Sequence, residues 1–186
     1  MIKNFKTHFR AVILMVFFSS VSVEAFADST ERTDRQAQFM AVYLLHFANF
    51  IEWPKATGEA RNAFNLCFYA EGNVKSSIRE LAGEQLKTTA IRLIEAPTFQ
   101  VLKQCQIVFI EKRKVSEFQK IKQQTEGKPI LFVSDKAGFI EQGGTIEYFI
   151  ENNKLRFAVN AELAKETGLI LSSKLLRIAK IVERKK

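Results

Sequence analysis

The chain has 186 residues, a length that suits one domain with a hydrophobic core of its own. Lysine and arginine outnumber aspartate and glutamate by 28 to 20, which gives a formal net charge of +8. The basic residues are scattered rather than gathered into one long run, and this pattern disfavours nucleic acid as a partner. Only two histidines occur, so a metal site built from several histidines is excluded.

The first 27 residues have the three parts of a secretory signal. Three basic residues occur among the first ten, an uncharged stretch follows at residues 11–23, and Ala25-Phe26-Ala27 supplies a small-x-small cleavage motif. The uncharged stretch is too short for a membrane-spanning helix, which needs about 17 residues or more. We therefore expect cleavage after Ala27 and an exported, soluble protein of residues 28–186 in the periplasm, with an uncleaved anchor as the alternative.

A long helix is predicted over Gln36–Trp53, with Pro54 ending it. Two neighbouring rows of apolar or aromatic residues recur at helical spacing in this stretch. We therefore expect the helix to be buried on more than one side. The first row is Phe39, Val42, Tyr43, His46, Phe47 and Phe50, and the second is Met40, Leu44, Phe47 and Ile51.

Alternating strand and helix patterns follow, as is typical of an α/β domain. The predicted strands are Phe64–Ala70, Ala90–Glu95, Gln106–Ile110 and Pro129–Ser134. The predicted helices are Val74–Ala82, Thr98–Lys103 with Thr98 as its N-cap, and Val115–Gln124. The third strand is almost continuously apolar, which indicates that both of its faces are covered.

The pattern changes after residue 143. Two strands, Thr145–Glu151 and Leu155–Asn160, flank an Asn152-Asn153 turn and predict an antiparallel hairpin. A short helix over Ala161–Glu166 and a final helix from Ser172 or Ser173 to about Val182 complete the chain. The predicted fold is an α/β single-domain sandwich. Its central, mostly parallel sheet has about six strands and a C-terminal antiparallel hairpin, with helices on both faces.

The two cysteines are Cys67 and Cys105, which lie in or beside predicted strands. An even number of cysteines in an exported protein predicts one disulfide. Two buried free thiols are the alternative. Neither cysteine has a second one within three residues, so neither belongs to a redox or zinc-binding pair motif.

No convincing catalytic constellation is present. Once the leader is removed, His46 is the one remaining histidine, and its position among aromatic residues favours a core or boundary role. Neither glycine-rich nucleotide motif occurs. We therefore expect no catalysis, no cofactor and no metal, and the sequence favours a binding or regulatory protein.

Two segments are candidate binding sites. The aromatic cluster of His46, Phe50 and Trp53 either lines a small-ligand pocket or packs over the edge of the core. The run Leu169-Ile170-Leu171 precedes a helix start. These three residues either pack against the end of the sheet or form a hydrophobic patch for a protein partner.

These segments resemble the YfiR-like periplasmic proteins. Residues 46–54 (HFANFIEWP) resemble the N-terminal signature of that family, and residues 105–110 (CQIVFI) resemble its cysteine-containing strand. Residues 134–144 resemble its glycine turn, and residues 157–160 (FAVN) and 168–176 (GLILSSKLL) resemble its C-terminal motifs. The chain departs from the family in two ways. A histidine stands at the first of these positions, where asparagine is common, and the chain lacks the second cysteine pair of some members.

The resemblance implies a small periplasmic α/β domain that regulates by binding. It implies repression of an inner-membrane diguanylate cyclase through its periplasmic sensor domain, and so control of cyclic-di-GMP signalling and biofilm formation. An outer-membrane lipoprotein that sequesters the protein would relieve the repression. A homodimer is a further expectation.

A protein that acts by occupancy needs a surface patch and a way to lose affinity. We expect the patch to be Leu169, Ile170 and Leu171, flanked by Glu162 and Lys165. Reduction of a disulfide between two core strands would loosen the fold and release the partner. The alternative function is a small-ligand-binding protein that passes an envelope signal to a sensor kinase or a TonB-linked receptor.

Overall fold

The computed structural model describes residues 24–54, 64–81 and 91–183. The chain divides into two compact units, Met1–Arg35 and Gln36–Lys186. Most of the expected leader lies outside the described residues, and its last four residues begin the first helix. Cleavage after Ala27 stays a prediction. No helix in the described part of the chain is long and apolar enough to cross a membrane.

The described residues form helices and strands in the following order. The first half contains α1 (Glu24–Phe50), β1 (Ile51–Glu52), β2 (Phe64–Tyr69), α2 (Gly72–Leu81), β3 (Ile91–Glu95), α3 (Phe99–Leu102) and β4 (Ile107–Ile110). A 3₁₀-helical segment (Lys112–Glu117) leads into α4 (Phe118–Gln124) and β5 (Leu131–Ser134). The second half contains β6 (Ile146–Glu151), β7 (Lys154–Val159), α5 (Ala161–Glu166), β8 (Ile170–Leu171), α6 (Ser173–Ile178) and β9 (Lys180–Ile181).

Seven strands form one sheet in the order β3-β2-β4-β5-β6-β7-β9. The strands from β3 to β6 in this order are parallel, β6 and β7 form the antiparallel hairpin, and β9 runs parallel to β7 at the edge. The predicted α/β class, the mostly parallel sheet and the hairpin are confirmed. The predicted ends at Ala82 and Ala90 lie outside the described residues.

The sheet is covered on both faces, as the unbroken apolar sequence of β4 predicts. All four residues of β4 are buried. Because side chains alternate along a strand, Ile107 and Phe109 join the core cluster that contains α1, whereas Val108 and Ile110 join the cluster under α4. The central strands therefore separate two hydrophobic layers.

The disulfide joins Cys67 on β2 to Cys105, two residues before β4, with the Cα atoms 5.9 Å apart. Both cysteines are buried in the cluster that also contains Leu102 of α3. The bond therefore connects two adjacent parallel strands on the face of the sheet opposite α1.

Helices α1 and α6 end earlier than the sequence predicts, in both cases because a tertiary contact competes with the local pattern. Helix α1 ends at Phe50 because the next two residues pair with β8. Helix α6 ends at Ile178, and the following residues join the sheet as β9 rather than extending the helix to Val182. Thr98 does precede α3 as its N-cap residue, but its side chain makes no capping hydrogen bond.

Candidate functional site

A two-stranded antiparallel ribbon, β1 with β8, is separate from the main sheet. Ile51 pairs with Leu171, and Glu52 pairs with Ile170. The N–H of Ser172 also donates to the carbonyl oxygen of Phe50, at 2.9 Å. The ribbon therefore fastens the C-terminal end of α1 to the segment between α5 and α6.

The ribbon brings together two segments that the sequence analysis selected independently. One carries His46, Phe50 and Trp53, and the other carries the run from Leu169 to Leu171. More than 110 residues separate the two segments along the chain, yet their backbones are hydrogen-bonded. The two sequence candidates are thus parts of one surface region.

The three aliphatic residues of the C-terminal segment have different environments. Ile170 is 63% exposed, although it is a large hydrophobic residue. Leu171 is half-buried, and Leu169 is only 2% exposed and packs in the core. The predicted surface patch therefore loses Leu169, whose side chain points inward because neighbouring residues of an extended segment face opposite sides.

Helix α5 places two charged side chains beside this segment. Glu162 and Lys165 are both exposed. The helix begins at its cap residue Asn160, whose side-chain oxygen accepts from the N–H of Leu163 at 2.9 Å. Immediately after the helix, the N–H of Leu169 donates to the carbonyl oxygen of Ala164. Glu162 and Lys165 on α5 and the strand β8 therefore belong to one segment, in which the chain reverses its direction after α5.

An aromatic stripe runs along α1 toward the ribbon, formed by Phe39, Tyr43, His46 and Phe50. Phe39 is 52% exposed, His46 is exposed, and Tyr43 and Phe50 are half-buried. The rings of His46 and Phe50 are stacked with centroids 6.3 Å apart. A core role for His46 is therefore wrong, whereas its stacking on the half-buried Phe50 is compatible with the boundary role. The buried side of α1 is the second apolar row, which includes Leu44 and Phe47 but no polar residue.

Trp53 packs at the edge of the core. Its indole N–H donates to the carbonyl oxygen of Gln106 at 3.3 Å, and its ring meets Phe64 edge-on at 5.0 Å. In the described ring contacts, Trp53 does not meet His46 or Phe50. The packing interpretation of Trp53 therefore accounts for its contacts, and a pocket shared by all three residues stays a prediction.

Tyr148 on β6 anchors the helix that carries the aromatic stripe. Its hydroxyl donates to the carbonyl oxygen of Met40 at 3.1 Å, and its ring stacks with Phe47. Burial raises the pKa of the Tyr148 hydroxyl well above its usual value, because the charged form would lose its hydration. The phenol thus stays neutral and acts as a hydrogen-bond donor. Sequence reasoning missed this contact because it joins residues 108 positions apart.

The carboxyl ends of the parallel strands are the usual ligand site of an open α/β sheet. Here the chain's own side chains occupy this edge. The buried carboxylate of Glu111 accepts from the N–H of Glu71 at 2.7 Å and from the side chain of Arg113 at 2.8 Å. Asp135 accepts from the N–H of Lys112 at 2.6 Å. These bonds tie the ends of β2, β4 and β5 together, so we place the candidate site at the ribbon instead.

Within residues 24–54, 64–81 and 91–183, no three His, Cys, Asp or Glu side chains are grouped so that they could hold a metal ion. The ribbon region offers an exposed isoleucine, an aromatic stripe and two opposite charges. This combination suits contact with another protein, since the apolar groups can be covered and the charges can set orientation.

A model of the YfiR/HmsC-like family matches residues 37–180. No curated protein is matched by the chain.

Two solved structures resemble the fold. A conserved domain protein from Vibrio cholerae is 9% identical with a TM-score of 0.54, and the match covers 78% of this chain and 59% of that one. An ABC domain in complex with L-Trp from Streptococcus pneumonia is 11% identical with a TM-score of 0.48, over 65% of this chain and 56% of that one. The chain spans less than two thirds of the length of both solved chains. At 9% identity, the first likeness shows the fold alone.

Proposed function

Because the chain belongs to the YfiR/HmsC-like family, whose YfiR-like members are periplasmic regulators, we propose that it represses an inner-membrane diguanylate cyclase. In this proposal the protein is not a catalyst. It binds the periplasmic sensor domain of the cyclase and holds the enzyme in a state of low cyclic-di-GMP synthesis. An outer-membrane lipoprotein that competes for the protein would relieve the repression.

The single observation that carries the proposal is the exposure of Ile170. A 63% exposed isoleucine costs free energy in water, and it lies on a strand that is fixed by pairing with β1 rather than on a free loop. Such a residue is pre-organised to fill a pocket on a partner, because little conformational entropy is lost when it binds.

The surroundings of Ile170 extend this contact. Glu162 and Lys165 are exposed charges of opposite sign on α5, the helix that packs beside β8, and rim charges of this kind mainly set orientation and association rate. The aromatic stripe lies on the helix that leads into the ribbon, and aromatic residues are enriched in protein interfaces. We therefore assign Ile170 to the centre of the contact and the other residues to its border.

The experiment is affinity capture from native membranes. Tagged protein is incubated with detergent-solubilised membranes, and retained proteins are identified by mass spectrometry. The variant Ile170→Glu is compared with Ile150→Glu, because Ile150 is also exposed, at 47%, but lies near the β6–β7 turn.

The proposal predicts that wild type and Ile150→Glu retain a membrane protein with a cytoplasmic diguanylate cyclase domain and that Ile170→Glu does not. Capture of a sensor kinase or a TonB-linked receptor instead would replace the proposed partner and favour the small-ligand signalling alternative. Equal capture by both variants would show that Ile170 is not at the contact.

A further inference from the structure

A cavity of about 370 Å³ is lined by residues of α4 and α5, and Thr167, in the chain reversal that leads into β8, is also part of its lining. Its walls come from α4, the turn at residues 125–128, residues 130 and 132 at the start of β5, the segment before β6, and α5. The volume is at the small end of the range of ligand pockets, which is roughly 300–1,000 Å³. We propose that this cavity binds a small organic monocarboxylate, with the carboxylate at Lys122 and Thr145 and the apolar part on the cavity floor.

The charge of the cavity favours an anion. Lys122 and Lys128 both line it, and Glu126 is the one carboxylate among the lining residues. In the described part of the chain, neither lysine forms an ion pair. The lining therefore has one unit of positive charge in excess, which a monocarboxylate would balance.

The side chain of Lys122 passes close to Gly143. Gly143 has a φ of +93°, and a β-carbon there would collide with the Lys122 amino group and lie 3.1 Å from its Cε atom. The ammonium thus occupies space that any larger residue at position 143 would fill.

Thr145 supplies a hydroxyl at the same cavity. The residue is 1% exposed, and its described hydrogen bonds involve only its backbone, with Phe132 and Asn160 as partners. No hydrogen bond of its hydroxyl to another described residue is present, so the hydroxyl has a proton that it can donate to a ligand.

The remaining threonines of the lining do not compete for the carboxylate. The hydroxyl of Thr125 donates to the carbonyl oxygen of Ile121 at 2.8 Å, and that of Thr167 donates to Ala164 at 2.9 Å. Each hydroxyl has one proton, so neither has a proton left for a ligand. The charged donors of the lining are therefore the two lysines, and neutral donors are Thr145 and the side-chain amides of Gln119 and Gln123.

The floor of the cavity is apolar. Ile130 and Phe132 at the start of β5 are buried in the core cluster under α4, and Leu163 of α5 closes the opposite wall. A ligand with a short hydrocarbon or aromatic body would cover the apolar lining that is still accessible, to which the half-buried Leu163 contributes, whereas inorganic phosphate or acetate would leave it uncovered. This arrangement selects for a carboxylate with several carbon atoms.

The test uses three probes of equal chain length: hexanoate, hexan-1-ol and hexylammonium. Binding to the purified protein is followed by calorimetry and by amide shifts in ¹⁵N-labelled protein. We expect saturable binding of hexanoate alone, with a Kd of about 1 mM for a ligand of this size, and shifts at Gly127, Gly143 and Thr145. Equal affinity for the alcohol or the amine, or no saturation by about 20 mM hexanoate, would overturn the proposal.

The variants separate this site from general charge effects. Lys122→Gln is expected to weaken hexanoate binding about ten-fold, because it removes a charge-assisted hydrogen bond. Lys120→Gln is the matched control, since Lys120 lies on the same helix with its amino group 4.9 Å from the ring centre of Phe99 and outside the cavity lining. Lys122→Gln binding as tightly as wild type, or Lys120→Gln losing as much, would exclude the assigned contact. Thr145→Val tests the second assigned contact and should also weaken hexanoate binding. Its amide spectrum shows whether the variant is folded.

Discussion

Pro54 packs against Gly168 so closely that a β-carbon at residue 168 would lie 3.2 Å from the Cγ atom of Pro54. Gly168 follows α5 by two residues, and Pro54 follows β1 by two residues. The contact therefore lies next to the ribbon that holds Ile170 in its exposed position. Gly168 has a φ of +81°, a backbone angle that residues with a side chain rarely adopt. Both this backbone conformation and the narrow space beside Pro54 therefore favour glycine at position 168.

The first prediction concerns this contact. Gly168→Ala should lower the free energy of unfolding by about 2 kcal/mol, because the strain of a positive φ is added to the approach of Pro54. Gly127→Ala is the matched control, since Gly127 has a φ of +72° and nothing lies within 4 Å of its missing β-carbon. It should cost about 1 kcal/mol. Urea denaturation of both variants measures the difference, and equal losses would show that the Pro54 contact contributes nothing.

The second prediction separates Leu169 from Ile170. Leu169→Ala should lower the free energy of unfolding by about 3 kcal/mol, because it leaves a cavity in the core. Ile170→Ala should change stability by less than about 0.5 kcal/mol, because its side chain is mostly in water. The check is chemical denaturation of each variant. A large loss with Ile170→Ala would mean that Ile170 supports the fold rather than a partner contact.

The third prediction concerns the disulfide. The bond closes a loop of sequence separation 38, for which the loop-entropy model gives about 4 kcal/mol of stabilisation. The double variant Cys67→Ser, Cys105→Ser should therefore unfold at a much lower urea concentration than wild type, and reductant should shift wild type toward the variant. A variant that matches oxidised wild type would contradict the stabilising role. If the folded variant binds its partner as tightly as wild type, the redox-release hypothesis is wrong.

The fourth prediction concerns the pH dependence of Asp135. Burial raises the pKa of this carboxyl above its ordinary value of 3.8, even though it accepts a hydrogen bond from the N–H of Lys112. A raised folded-state pKa means that the ionised carboxylate costs stability, and this cost disappears as the pH falls through the folded pKa toward the ordinary value. Asp135→Asn keeps an acceptor oxygen without the charge. It should therefore be more stable relative to wild type at pH 7 than at pH 3.

The quantity to measure is the difference in the free energy of unfolding between Asp135→Asn and wild type at each pH. A difference is needed because other carboxyls have lowered pKa values and affect the stability of both proteins. Hydrogen bonds and charge from Lys114 lower the pKa of Glu71, and Lys75 and Arg79 lower that of Glu95. These pairs contribute stability above the ordinary pKa, and that stability is lost in acid. Denaturation curves for both proteins at each pH give the comparison. A constant difference between pH 7 and pH 3 would contradict the raised pKa of Asp135.

Six of the seven strands of the sheet could be predicted from the sequence, because each of the six carries a local signal. Residues 107–110 are apolar on both faces, and the paired asparagines between β6 and β7 specify a tight turn. Both asparagines have positive φ, as such a turn requires. These features need no knowledge of the rest of the chain.

The ribbon could not be predicted, because its signal is not local. Ile51 and Glu52 continue the helical pattern of α1, and only their pairing with β8 takes them out of the helix. In the same way, Ile181 continues the pattern of α6 but joins the edge of the sheet. The pairing of β8 with β1 gives Leu169 and Ile170 their opposite environments. The sequence Leu169-Ile170-Leu171 alone does not distinguish the buried residue from the exposed one.

The most direct measurement of the central claim is the cellular cyclic-di-GMP level in a strain that lacks the gene. The account predicts that deletion raises the level and that plasmid-borne wild type or Ile150→Glu restores it. Ile170→Glu, present in equal amount, should fail to restore it. An unchanged level on deletion, or full restoration by Ile170→Glu, would contradict repression through the ribbon surface.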